Sequence, residues 1–364
     1  MATFVGSSMP HTAMLKARDD DIFKMLDEIN DTSDGRSRRW PISMDGGVVE
    51  LSRAFAEFAK ELPQRAIAMA RTKFVAGRHE HAAAELVHKL TEGENYSAEE
   101  LLALIHELSD RGFSSDIWKT FASWSLARIA GKLSGLPDNS IAMMKGWLEN
   151  DPAKIAKDIE DRLDLDARNA ERNKREREIP QPFLFHAHGL HGMRMVPQDN
   201  FSILDAIFKG LIAREERDYQ QWIAILAEQA KKDEDPHIWS FLLCWQSDWL
   251  YWADRDRVQA LIRSLWEKDK RIFQSVELVG VLWKNRPIFP DDVLIEIITA
   301  WFETGEEPFV QAAAEYTQAM VLVHPDNPIA LKLSAYLTEE VSWQLTGQLF
   351  SAASAWRDGD AMLR

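Results

Sequence analysis

The sequence is poor in the features that most directly reveal chemistry. Only one of its 364 residues, Cys244, is a cysteine. That excludes an internal disulfide framework and suits a reducing compartment. No run approaches the ~18 consecutive apolar residues that a membrane span needs. Met1 to Lys16 lacks a charged segment followed by an apolar core, so it does not read as a secretory leader. Strand alternation is scarce, and the two Asp-Gly turns, Asp45-Gly46 and Asp358-Gly359, are not flanked by β-type runs. Gly131-Lys132 is followed by Leu133, and no glycine stands where a phosphate-binding loop requires one. Gly131-Lys-Leu-Ser134-Gly135 reads as a helix C-cap turning into Pro137, not as a nucleophile elbow. Cys244 lies between Leu243 and Trp245 with no basic neighbour to activate it, so it reads as an inert, packed thiol. Basic charge is also in deficit, with 43 Lys and Arg against 58 Asp and Glu, a formal net charge of −15. Such a chain does not favour nucleic acid or anionic membrane. The expectation is a cytoplasmic protein that needs no cofactor and binds rather than catalyses.

What the sequence does have is apolar and helical. Hydrophobic residues make up 46% and there are 14 tryptophans, enough for a large core. Length alone allows about two ordinary domains or one elongated repeat array. Helical periodicity runs through Gly47–Leu62, Pro63–Phe74, Glu80–Leu90, Ala98–Asp110, Asp116–Lys132 and Pro137–Glu149. Later helices are expected to open near Asp199, Asp218, Asp235, Asp254, Asp269, Asp291, Glu306 and Asn327. Pro63, Pro137, Pro152, Pro236, Pro290, Pro308 and Pro328 precede amphipathic runs, where a fixed φ suits a first turn. Asp138, Asp235, Asp291 and Asp292 beside them can cap free N–H groups and favour the helix dipole. The spacing of about 36 residues per helix pair is that of HEAT or TPR hairpins. The predicted architecture is therefore an all-α solenoid of antiparallel helix pairs. Asp31 to Gly47 reads as a polar loop, and Lys157 to Pro182 as a charged, solvated helix ending in Pro180-Gln-Pro182. That break divides a segment 1–180 from a segment 181–364 within one continuous array.

Two histidine groups invite a metal reading. His186, His188 and His191, with Gly189 and Gly192 between and after them, could surround one ion and would support a metal-dependent hydrolase. The bland alternative is an inter-helix loop. His81, Glu85 and His88 share one helix face, but a di-iron bundle needs E-x-x-H twice and only one copy is present; a half-buried face is expected.

The segment Ile238 to Trp252 is apolar almost all round. Ile238, Phe241, Leu242, Trp245, Trp249 and Trp252 fall on one side of a helical wheel, which reads as core, while Trp239, Leu243, Leu250 and Tyr251 point elsewhere. Part of this surface, with Trp222, Trp266, Trp283 and Trp301, could instead form an aromatic face for a protein partner, because Trp, Tyr and Arg dominate binding hot spots. The anchors expected are Trp249, Tyr251, Trp252 and Trp283. The basic loop Arg36–Arg39 with Trp40, and Arg38, Arg39 and Trp40 in particular, offers a second contact. An acidic chain would be steered toward a basic partner surface.

Several stretches in order resemble the C-terminal helical-repeat region of bacterial STAND NTPases, the NACHT- or Avs-type antiviral ATPases. They are Gly46-Gly47-Val-Val-Glu-Leu-Ser-Arg-Ala-Phe, Leu62-Pro-Gln-Arg65-Ala-Ile-Ala-Met-Ala70, Leu136-Pro-Asp-Asn with Trp147 and Asp151-Pro152, Asp235-Pro236 leading to Asp254-Arg-Asp-Arg257, and Pro308-Phe-Val-Gln-Ala-Ala-Ala314. The NTPase module is missing, and the histidine-rich stretch replaces the Asn/Val-Arg-Gly helix start that the resemblance leads one to expect. The resemblance implies a sensor that clasps a folded phage protein, with an ATPase module in the parent protein. A structural helical-repeat scaffold is the remaining alternative.

Overall fold

Apolar residues at three- and four-residue spacing bury one face of each helix, and prolines and capping side chains set the helix starts. The computed structural model describes residues 7–28, 47–93, 96–157, 159–160, 199–233, 235–274, 278, 288–304 and 307–337, and every element among them is helical. The chain runs α1 (His11–Met14), α2 (Asp19–Glu28), α3 (Val48–Glu61), α4 (Pro63–Lys73), α5 (Glu80–Glu92), α6 (Ala98–Asp110), α7 (Asp116–Lys132) and α8 (Asp138–Trp147). After these come α9 (Asp199–Ile212), α10 (Tyr219–Gln229), α11 (Pro236–Leu250), α12 (Arg255–Lys268), α13 (Asp291–Glu303), α14 (Glu307–Val323) and α15 (Pro328–Ser334). No described helix is long and apolar enough to cross a membrane.

The expected helix starts recur to within a residue or two, with one correction and one omission. Asp269 opens a 3-10 turn, Lys270–Phe273, in place of a further α-helix start. Its carboxylate accepts the Arg271 N–H at 2.9 Å and also grips the Arg271 guanidinium, which favours a tight local turn. The short α1 and α2 escape the sequence reading. Ser97, Ser115 and Asn327 cap α6, α7 and α15 through their side-chain oxygens, whereas the N-cap positions of α8 and α13 are Pro137 and Pro290 and make no side-chain cap, so the expected aspartate caps are absent there. The expected C-cap after α7 is present: Ser134 and Gly135 take positive φ, and the Gly135 N–H reaches back to the Ala130 carbonyl.

The helices gather into two compact units, one holding α1–α9 and the other α10–α15. Position 180 lies outside the described residues; α9, grouped by sequence with the C-terminal segment, packs on α7 and α8 of the first unit. In that unit α3 packs on α5, α5 on α7 and α7 on α9, while α4 packs on α6. Polar links between successive hairpins span 34–37 residues. Gln64 to Glu100, Arg71 to Glu107, His106 to Ser140 and Arg111 to the Phe74 carbonyl are examples.

Glu80 is the tightest of these links. Its side chain is buried at the first position of α5, where the N-terminal dipole favours an anion. One carboxylate oxygen accepts the Gly77 N–H at 2.8 Å; the other accepts the N–H groups of Ser114 at 3.0 Å and Ser115 at 2.6 Å. It thereby satisfies orphan donors in the turns before α5 and before α7 together. Glu80→Gln presents an NH2 group to backbone donors, and is expected to lower the unfolding free energy by about 1–3 kcal/mol, measured by urea denaturation.

Candidate functional site

The second unit buries most of its described tryptophans. Trp222, Trp239, Trp266 and Trp301 are core, which removes Trp222, Trp266 and Trp301 from any binding face. Three of their indole N–H groups are satisfied: Trp239 donates to the Asp233 carbonyl at 3.3 Å, Trp266 to Glu296 at 2.6 Å and Trp301 to the Phe273 carbonyl at 2.8 Å.

Helix α11 departs from the wheel drawn for it. Its first half is buried nearly all round, with Ile238, Trp239, Phe241, Leu242 and Leu243 inside. The second half turns Leu243, Gln246, Ser247 and Leu250 inward. Trp245 is 44% exposed, Tyr251 42% and Trp252 67%, with Trp249 half-buried between them. The expectation that Trp245 and Trp252 continue the core stripe is thus overturned, Trp249 is half-buried, and Trp239, Leu243 and Leu250, off that stripe, are buried as well. The reason is local anchoring. The Ser240 hydroxyl bonds the Ile272 carbonyl of the 3-10 turn, and Trp239 is held by Asp233, so the helix is clamped in one rotation.

Two ring pairs lie along this stretch. The Tyr251 and Trp252 rings meet edge to face, with centroids 5.3 Å apart and planes at 83°. Tyr219 at the start of α10 lies 6.5 Å from Trp249, tilted by 30°. Asp248 is exposed on the same side of the helix. The backbone stays coiled past Leu250, since the N–H of Tyr251 bonds Ser247 and that of Trp252 bonds Trp249. Trp245, Asp248 and Trp252 therefore follow one another at i, i+3 and i+7 spacing on one face. Of the anchors expected from sequence, Trp249, Tyr251 and Trp252 come together here. Trp283, Arg38, Arg39 and Trp40 lie outside the described residues. Trp245 was assigned to the core, and no sequence signal separates it from its neighbours: the polar Gln246 faces in while the indole beside it faces out.

His186, His188 and His191 also lie outside the described residues, among which no group of three or more His, Cys, Asp or Glu could hold a metal. Cys244 is half-buried. His81, Glu85 and His88 occupy a half-buried face of α5. The His88 ring lies edge-on to Phe121 at 5.0 Å and tilted against Trp124 at 5.5 Å, with Glu92 3.7 Å from its Nε2. Burial pushes its pKa below the ordinary imidazole value, and the Arg128 charge adds to this. Burial raises the Glu85 carboxyl above the usual range, against the pull of Arg53 3.5 Å away.

Two predictions follow from these placements. Trp252→Ala is expected to change stability by less than about 0.5 kcal/mol, whereas Trp239→Ala costs about 3–5 kcal/mol, as read by chemical denaturation. Because His88 binds its proton less readily folded than unfolded, its contribution is complete above pH about 6.5 and is lost as pH falls from there. A melting temperature followed from pH 7.5 to 5.5 should decline, and His88→Phe should flatten that decline.

No protein-family model matches this chain, and neither a curated protein nor a solved structure is similar to it.

Proposed function

We propose that the chain is a protein-recognition module, built as a solenoid of helix pairs and presenting the Trp245–Trp252 face to its partner. The observation that carries this reading is the exposure of Trp245, Tyr251 and Trp252 in a unit that buries Trp222, Trp239, Trp266 and Trp301. Covering Trp252, now 67% exposed, removes roughly 100–170 Å² from water, worth about 2.5–4 kcal/mol at ~25 cal/mol per Å². A few contacts of that size, with a polar rim, sustain a specific interface. The solenoid reading is supported by the serial packing of α3, α5, α7 and α9 and by polar links that recur every 34–37 residues. The finer reading, a target-sensing part of an antiviral STAND NTPase that clasps a phage protein, is supported by the sequence resemblance alone.

Co-purification of the chain with individually expressed phage proteins tests both levels. A partner retained by wild type and lost with Trp249→Ala plus Trp252→Ala, at unchanged circular dichroism, is the expected outcome. Trp252→Ala alone serves as the milder variant should the pair unfold. Retention of every partner by a folded variant removes this face from the recognition surface.

A further inference from the structure

We propose that the Trp245–Trp252 face seats the cationic side chains of a basic protein segment, with the indole and phenol rings as walls. The inference rests on the recognition reading above and names the chemistry of the partner. Trp245 and Trp252 are exposed and stand seven residues apart on one coiled stretch, so the two indoles share a face. The perpendicular Tyr251 and Trp252 rings make a corner, and a ring face with its negative quadrupole is what attracts Lys or Arg. The protein uses this chemistry internally: the Lys270 ammonium sits 4.8 Å from the Trp266 centroid and the Lys132 ammonium 3.6 Å from that of Tyr96. A net charge of −15 steers basic segments toward the chain and repels a second copy, a nucleic acid or an anionic bilayer.

The test is calorimetric titration of the full chain with a twelve-residue peptide of alternating Arg and Ala, beside a Glu and Ala peptide of the same length. Saturable binding of the basic peptide alone is expected. It should weaken at least about fivefold in Trp252→Leu, which keeps an apolar side chain but loses the quadrupole. Trp252→Leu leaves the net charge intact, so equal binding by wild type and this variant would mean diffuse attraction and would overturn the proposal. Absence of binding overturns it as well. Self-association of the chain that Trp252→Leu abolishes would overturn it in favour of a second copy on the same face. If a partner co-purifies in a Trp252-dependent way while the basic peptide fails, this inference falls and the recognition reading stands. If both fail, both fall.

Discussion

The rotation of α11 about its own axis is set by its anchors at one end, and the exposed aromatic face follows from that setting. Ser240 reaches the Ile272 carbonyl, and Trp239 donates to the Asp233 carbonyl. Lys268, at the end of α12, donates to the same Asp233 carbonyl and to that of Ala230, each at 2.8 Å. Two carbonyls between α10 and α11, those of Ala230 and Asp233, are thereby satisfied. A helix with apolar residues on every side has no hydrophobic preference for one rotation, so these directional bonds decide. Once they do, Trp245 and Trp252 are carried outward along the later turns, with Trp249 half-buried between them.

The first unit shows how such stacking is made stiff. Its turns carry backbone groups that would otherwise lie unsatisfied between layers, and side chains from the neighbouring hairpin answer them. Glu80 does so for the N–H groups of Ser114 and Ser115, and Arg111 for the carbonyls that end α4. Asn200 answers both the N–H and the carbonyl of Glu149, at 2.7 and 3.0 Å. Close approach at α9 also demands small residues. A Cβ on Gly210 would lie 2.8 Å from the Leu136 side chain, and Gly135, at φ +111°, leaves room for Arg214. Arg214 then donates to the Leu136 carbonyl and pairs with Asp138, fastening α9 to the turn before α8.

Rigid stacking matters for a recognition surface because aromatic anchors gain most when their orientation is already set before binding. The described pieces combine a locked helix, exposed rings and an acidic side chain among them. An acidic chain that keeps indoles in water bears an energetic cost in the free state that a basic, ring-seeking partner would relieve. The same arithmetic explains why the other tryptophans are no part of it: Trp222 and Trp301 are buried, and Trp301 already spends its N–H on the core.

Helix positions were legible in the residues themselves. Proline φ, acidic first turns and three-to-four periodicity act over one or two turns of chain, and they located α3 through α8 and most later starts. The candidate site was legible in part. The density of tryptophan around residue 250 pointed to it, and Trp249, Tyr251 and Trp252 lie there, but Trp245, assigned to the core, is exposed. Hydrophobicity is not directional, and a helix that is apolar all round leaves its inward side unspecified. By itself the sequence determined that this chain is helical, where its helices start, and that its aromatic surplus is concentrated near one helix. Only the tertiary structure decided which aromatics are core and which face solvent, because that choice is made by hydrogen bonds from Ser240, Trp239 and Lys268 to carbonyls up to 38 residues away.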